Sequence, residues 1–152
     1  MYIGDDHTFN TPHWDTILMK KLKGMGGTGM VFGDTKRRND IPEAVIITAD
    51  IVKELGHFAE PSLAHYFNGN VWAELGGRAN LIRYCPEVVF EHLHYQVNKS
   101  IDLDQTYASA EEAWGASDMQ AFYAWQQNVM PFQVAQLRRK FSKDIEWLFS
   151  RI

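Results

Sequence analysis

The chain has 152 residues, with 15 Lys+Arg against 19 Asp+Glu, 45% hydrophobic and 22% charged residues. That length fits one domain, able to bury roughly 70% of the surface its unfolded form exposes, and the composition excludes a disordered tail, a collagen-like fibre and a disulfide scaffold. The net charge of −4 argues against non-specific binding to nucleic acid or an anionic membrane.

No apolar run approaches the ~20 residues of a membrane span. The start, Met1-Tyr2-Ile3-Gly4-Asp5-Asp6, is acidic and lacks the basic region of a signal peptide. The single cysteine, Cys85, cannot form an internal bridge, so nothing points to secretion and a cytoplasmic protein is expected. The 13% aromatic content, five of those residues Trp, suits either a binding cleft or a dense core.

In chain order, Met1-Tyr2-Ile3 reads as the end of a strand broken at Gly4-Asp5-Asp6-His7. Thr11-Pro12 starts a helix over Trp14–Lys23, with apolar residues at Trp14, Ile17, Leu18 and Leu22. Gly24–Gly29 is a glycine-dense loop, Met30–Phe32 a short strand, and Asp34–Pro42 a polar exposed loop carrying Lys36, Arg37 and Arg38. Ala44–Thr48 is a β-branched run that predicts a buried strand. Asp50–Leu55 predicts a short helix closed by Gly56. Val71–Leu75 has helical spacing and is expected to end at Gly76-Gly77. Leu81–Tyr84 and Val88–Phe90 read as two strands separated by a turn at Pro86, followed by Glu91-His92-Leu93-His94. Tyr107–Trp125 and Pro131–Phe149 predict two long amphipathic helices, the second with apolar Phe132, Val134, Leu137, Phe141, Ile145 and Leu148. The expected fold is α/β: a body over residues 1–100 and a helical tail over 101–152, in a single domain.

Two clusters at strand ends carry candidate chemistry. Gly4-Asp5-Asp6-His7 is either a turn or part of a divalent-cation site, since carboxylate oxygens bind hard cations and imidazole adds affinity for manganese or zinc. In Glu91-His92-Leu93-His94, an extended backbone directs His92 and His94 to one face, as a metal or phosphate site or as one exposed and one core histidine. If the two strands are neighbours, both clusters meet at one sheet edge. The loop bearing Lys36, Arg37 and Arg38 is a solvated loop or a cationic clamp for a diphosphate. The Gly24–Gly29 loop, read together with these cations, matches neither a Walker loop nor a dinucleotide fingerprint. Cys85 reads as a buried, inert thiol. The Trp and Phe residues of the last two helices read as packing or as an interface.

Taken in order, Tyr2-Ile3-Gly4-Asp5-Asp6-His7 and Thr11-Pro12-His13-Trp14-Asp15 resemble the metal-binding segment of GT-A-fold glycosyltransferases. Gly29–Phe32, Ala44–Asp50, Leu55-Gly56 and Ile82–His92 are similar to the acceptor half of the same family, so the resemblance spans residues 2 to 94. It implies a partial GT-A-like mixed sheet and metal-dependent sugar transfer from a nucleotide-sugar donor to an acceptor. It also implies Mn2+ or Mg2+ held by Asp5, Asp6 and His7, with His92 or His94 completing the shell. The family's catalytic carboxylate is expected around Asn68-Gly69-Asn70, where no residue can act as a base. Glu74, one turn on, is the substitute, with Asp50 and Glu60 as further candidates. The chain begins four residues before Asp5, so the family's nucleotide-binding half is expected to be absent and the isolated chain to be impaired or inactive. The sheet edge and apolar surface so exposed predict a homodimer or higher oligomer. A non-catalytic oligomeric module of the same fold is the alternative. A metal-dependent hydrolase using Asp5, His7, His92 and His94 is a third reading.

Overall fold

The computed structural model describes residues 1–94 and 105–141. In chain order the elements are β1 (His7–Phe9), α1 (Trp14–Gly24), β2 (Met30–Asp34), β3 (Val45–Ile47), α2 (Ala49–Leu55), α3 (Asn68–Ala79), β4 (Ile82–His92), α4 (Gln105–Asn128) and α5 (Met130–Phe141). The expected α/β class, with a mixed sheet and C-terminal helices, is what the chain adopts. The sheet runs β1-β4-β2-β3; β2 and β4 are parallel, and β1 and β3 pair antiparallel to them.

The sheet is covered on both faces, which explains the unbroken apolar run Met30-Val31-Phe32. Successive side chains of a strand point to opposite faces. Met30 and Phe32 accordingly join Val45, Ile47, Ile51, Trp72 and Leu75 on one side, together with Phe122, Trp125, Val134 and Leu137 of the C-terminal helices. Val31 joins Leu18, Leu22, Val88 and Phe90 against α1 on the other. The helical tail thus supplies one wall of the larger core. Leu18 and Leu22, fully or almost fully buried, form the inward stripe that the spacing of α1 predicts.

Four expectations need correction. Residues 1–3 form only an isolated bridge between Tyr2 and Val45, and the first strand is instead His7–Phe9. The helix over Val71 begins at Asn68 and runs through Gly76-Gly77 to Ala79, ending where Asn80 takes the left-handed φ of 57°. Gly76 is a close-packing residue, not a stop: a Cβ there would lie 2.6 Å from the Ile82 side chain and 3.1 Å from Met30 Sδ. The two strands expected around Pro86 are one strand, β4, with an irregularity. Gly33 pairs with Cys85, whereas the next residue, Asp34, pairs with Val89. Pro86, which lacks an N–H, is accommodated in the resulting bulge. Finally, Phe132 is 75% exposed although Val134 and Leu137 on the same helix are buried. Ile145 and Leu148 lie outside the described residues.

The bulge depends on Gly33, where a Cβ would sit 2.4 Å from the Val88 carbonyl oxygen and 3.1 Å from the Phe90 ring. Gly33→Ala is therefore expected to destabilise the fold by ~1–3 kcal/mol, as overpacking against backbone does. Urea denaturation checks this, and an unchanged midpoint would show that β2 and β4 separate at no cost. Cys85 is buried as expected, and burial raises its thiol pKa. Among the described residues, no helix is long and apolar enough to cross a membrane.

Candidate metal centre

The candidate site forms where three segments are stitched together at the end of β4. β1 runs antiparallel to β4 in a register that places His7 directly opposite His92. Cross-strand partners sit side by side, and the two imidazoles stack with centroids 4.2 Å apart and planes 21° apart. The Leu93 N–H donates to the Asp6 carbonyl at 2.8 Å, and the His92 N–H donates to the Thr35 carbonyl at 3.0 Å. The backbone thus clamps residues 6, 35 and 92–93 together before any side chain is considered.

Asp6, His7 and His92 each place one ligand-type atom within 4.8 Å of the others. Their side chains interlock: His92 Nε2 lies 2.8 Å from Asp6 Oδ2, and His7 Nδ1 lies 3.1 Å from Asp6 Oδ1. The sequence paired the two clusters on the condition that a strand over Met1–Ile3 neighbour the one over Val88–Phe90; Tyr2 instead bridges Val45, and the clusters meet because His7–Phe9, the strand that begins within the first cluster, pairs with β4. Asp5, proposed as a ligand, is exposed and outside this group. His94 is also outside it, its ring edge-on to His92 with centroids 5.1 Å apart. Leu93 and His94 lie beyond the end of β4, so His92 and His94 do not present themselves as one strand face.

One residue of the site had no signal in the motifs. Glu43, in the segment leading to β3, accepts a hydrogen bond from His92 Nδ1 at 3.1 Å and one from the buried Thr35 hydroxyl at 2.8 Å. Arg37 pairs with its other oxygen. The only hint in the sequence is an acidic residue standing immediately before the buried run Ala44–Ile47. Such a residue must find partners or remain in solvent, and Glu43 finds three.

The electrostatics follow from this arrangement. Burial opposes the charge on Glu43, but hydrogen bonds from His92 and Thr35 and the charge of Arg37 outweigh it, lowering its pKa to about 2. Burial likewise opposes the charge on His92, and Glu43 and Asp6 outweigh it, raising that pKa above the ordinary value. His92 therefore carries its proton readily between two carboxylates. For His7, burial and the nearby positive charge of His92 prevail over Asp6, and its pKa is lowered. Burial, Arg37 and His92 lower that of His94.

The donor set fits a divalent cation on two counts. His7 Nε2 is buried and has no hydrogen-bond partner, an arrangement that costs free energy unless something occupies its lone pair. His92 has on Nδ1 the carboxylate partner that orients metal-bound histidines, and a cation would displace the Nε2 proton that the ring shares with Asp6. One carboxylate and two imidazoles suit Mn2+ or Zn2+ better than Mg2+, which prefers oxygen alone.

The other site candidates are placed elsewhere. Glu74 pairs with Arg78 at 2.6 Å and accepts from Gln126 at 3.2 Å, and neither partner belongs to the metal group. Asp50 bonds Thr28 and the Ile51 N–H. Glu60 is buried and receives the Ser62 N–H and hydroxyl. Lys36, Arg37 and Arg38 pair with Asp34, Glu43 and Asp40 respectively. Comparison of the chain with protein-family models, with curated proteins and with solved structures gives no match.

Proposed function

We propose that this protein is glycosyltransferase-like: it binds a divalent cation, Mn2+ in preference to Mg2+, through Asp6, His7 and His92, and engages a nucleotide-sugar donor with it, sugar transfer by the isolated chain being impaired. The observation that carries the reading is the placement of one ligand-type atom from each of these three side chains within 4.8 Å of the others. The order of segments from Tyr2 to His92, similar to that family, supports the choice of substrate. When bound, the cation offsets the charge that develops on a departing nucleoside diphosphate. Asp6 brings the negative charge that draws the cation in, and Glu43 holds the ring of His92 in the ligating tautomer. Thr35 and Arg37 keep Glu43 ionised and in place.

Calorimetric titration with Mn2+, followed by several nucleotide sugars in its presence, tests the proposal. The parent protein is expected to bind Mn2+. The double variant Asp6→Ala with His92→Ala should lose more than ~100-fold in affinity, the upper end of what even supporting residues cost. Asp5→Asn, on an exposed side chain, should bind like the parent. A double variant that binds Mn2+ as tightly as the parent would remove the metal site. Mn2+ binding with no response to any nucleotide sugar would leave a metal-binding module and sink the transferase reading.

A further inference from the structure

Beside the metal group, and sharing none of its three ligands, lies a second feature. An open cavity of about 360 Å³ is lined by Asp34, Lys36, Arg37, Arg38, Asn39 and Tyr84. Its lining holds three cations and one carboxylate in a chain whose net charge is −4. Each of these cations is paired with a carboxylate, Lys36 with Asp34, Arg37 with Glu43 and Arg38 with Asp40, so an anion is drawn here by the donors these pairs leave unused and not by an excess of positive charge.

The cations are held in position from behind. Arg38 donates through Nε and Nη2 to the two oxygens of Asp40, at 2.8 and 2.9 Å. Lys36 Nζ donates to Asp34 Oδ2 at 2.9 Å. A guanidinium and an ammonium each carry more donors than these bonds use. A carboxylate behind a cation fixes its direction without exhausting its donors, the arrangement that preorganises an anion site.

The backbone adds an independent sign. Lys36 has φ 61°, in the left-handed region that a lysine seldom adopts. Its N–H donates to Asp34 Oδ1 at 2.8 Å, which holds this turn. Such a conformation persists only where surrounding contacts impose it, and it concentrates at binding sites. Tyr84 completes the lining; burial and the Asp34 charge raise its pKa, so its hydroxyl remains a donor at neutral pH.

We infer that this cavity is a metal-independent site for the oxyanion, a phosphate monoester or similar group, of a small soluble ligand. The anion site stands without the metal reading. Its identification as the seat of an acidic acceptor, distinct from the donor diphosphate, rests on the transferase reading. Arg37 lines the cavity and pairs with Glu43, which bonds His92, so the two sites are separated by a single ion pair.

The test is titration of the full chain with inorganic phosphate, once in EDTA and once with Mg2+. Phosphate is expected to bind in EDTA. Lys36→Gln with Arg38→Gln should weaken it tenfold or more, and Asn39→Asp, which adds a negative charge to the rim, should weaken it as well. Circular dichroism confirms that these exposed-loop variants are folded. Asp6→Asn, which damages the metal group alone, should leave phosphate binding unchanged. The inference is overturned if phosphate binds only when Mg2+ is present, because the loop then serves a metal-bound diphosphate. It is equally overturned if the loop variants bind like the parent. Flotation with phosphatidylglycerol vesicles without any response to phosphate overturns it too, in favour of a membrane surface.

Discussion

Replacing Asp118 by alanine is expected to lower the unfolding free energy by at least about 3 kcal/mol. Asp118 lies on α4 and is 2% exposed. Its carboxylate accepts the backbone N–H groups of Ala64, His65 and Tyr66, at 2.9, 2.7 and 2.7 Å. Hydrogen bonds to a charged group contribute about 1.5–3 kcal/mol each. Relaxation of the loop recovers part of that sum, which sets the expectation at the lower end. No segment between α2 and α3 forms a strand or helix, so this carboxylate supplies the backbone partners that secondary structure supplies elsewhere. Asp118→Asn, which keeps the volume but loses the charge, should fall between alanine and the parent.

The pH dependence gives a second signature. Burial pushes the Asp118 carboxyl up, but the three N–H donors prevail and its pKa is lowered from 3.8. A depressed carboxyl contributes stability that is fully present above the unfolded pKa and is lost as pH falls through the folded one. The stability difference between parent and Asp118→Asn should therefore be full at neutral pH and shrink below the ordinary aspartate value of 3.8. Urea unfolding across pH measures both effects. A loss below ~1 kcal/mol for the alanine variant, no more than an average point substitution costs, would show that the loop is held by other contacts.

The second large effect is expected at Glu43. Glu43→Ala should cost ~10–100-fold in Mn2+ affinity while the protein remains folded, the range seen when the carboxylate behind a metal-bound histidine is removed. Glu43→Gln should cost less, because its amide oxygen can still accept the proton on His92 Nδ1 without supplying charge. The alanine variant also leaves Thr35 and Arg37 without a shared partner, so a modest stability loss accompanies the affinity loss. That stability contribution has its own sign. With a folded pKa of about 2 against 4.5, it is present above pH 4.5 and lost as pH falls toward 2. Calorimetry with Mn2+ on folded Glu43→Ala decides the matter: parent-like affinity would mean that Glu43 only braces the loop.

Much of the scaffold is legible in one dimension because it depends on local periodicity. The stripe Leu18 and Leu22 marks α1, the β-branched run marks β3, and Gly56 closes α2 where expected. The misreadings share one cause. Gly76-Gly77 and Pro86 are strong local signals for an ending, yet close approach of α3 to Ile82 and a bulge in β4 reuse them inside continuous elements. Phe132 fits a helical apolar stripe, but which face of α5 is covered depends on where α2, α3 and α4 pack.

The site divides along the same line. The sequence by itself determined the chemistry available: a carboxylate and imidazole at Asp6-His7, a second imidazole at His92, and three cations at 36–38. Residue type carries that information and needs no neighbour. Only the tertiary structure decided which of these meet. The antiparallel register of β1 on β4 sets His7 against His92 and leaves Asp5 in solvent. The return of the chain before β3 brings Glu43 to His92 across 49 residues. The physical reason is that hydrogen-bond distances of about 3 Å are set by strand register and by loops that close over long sequence separations.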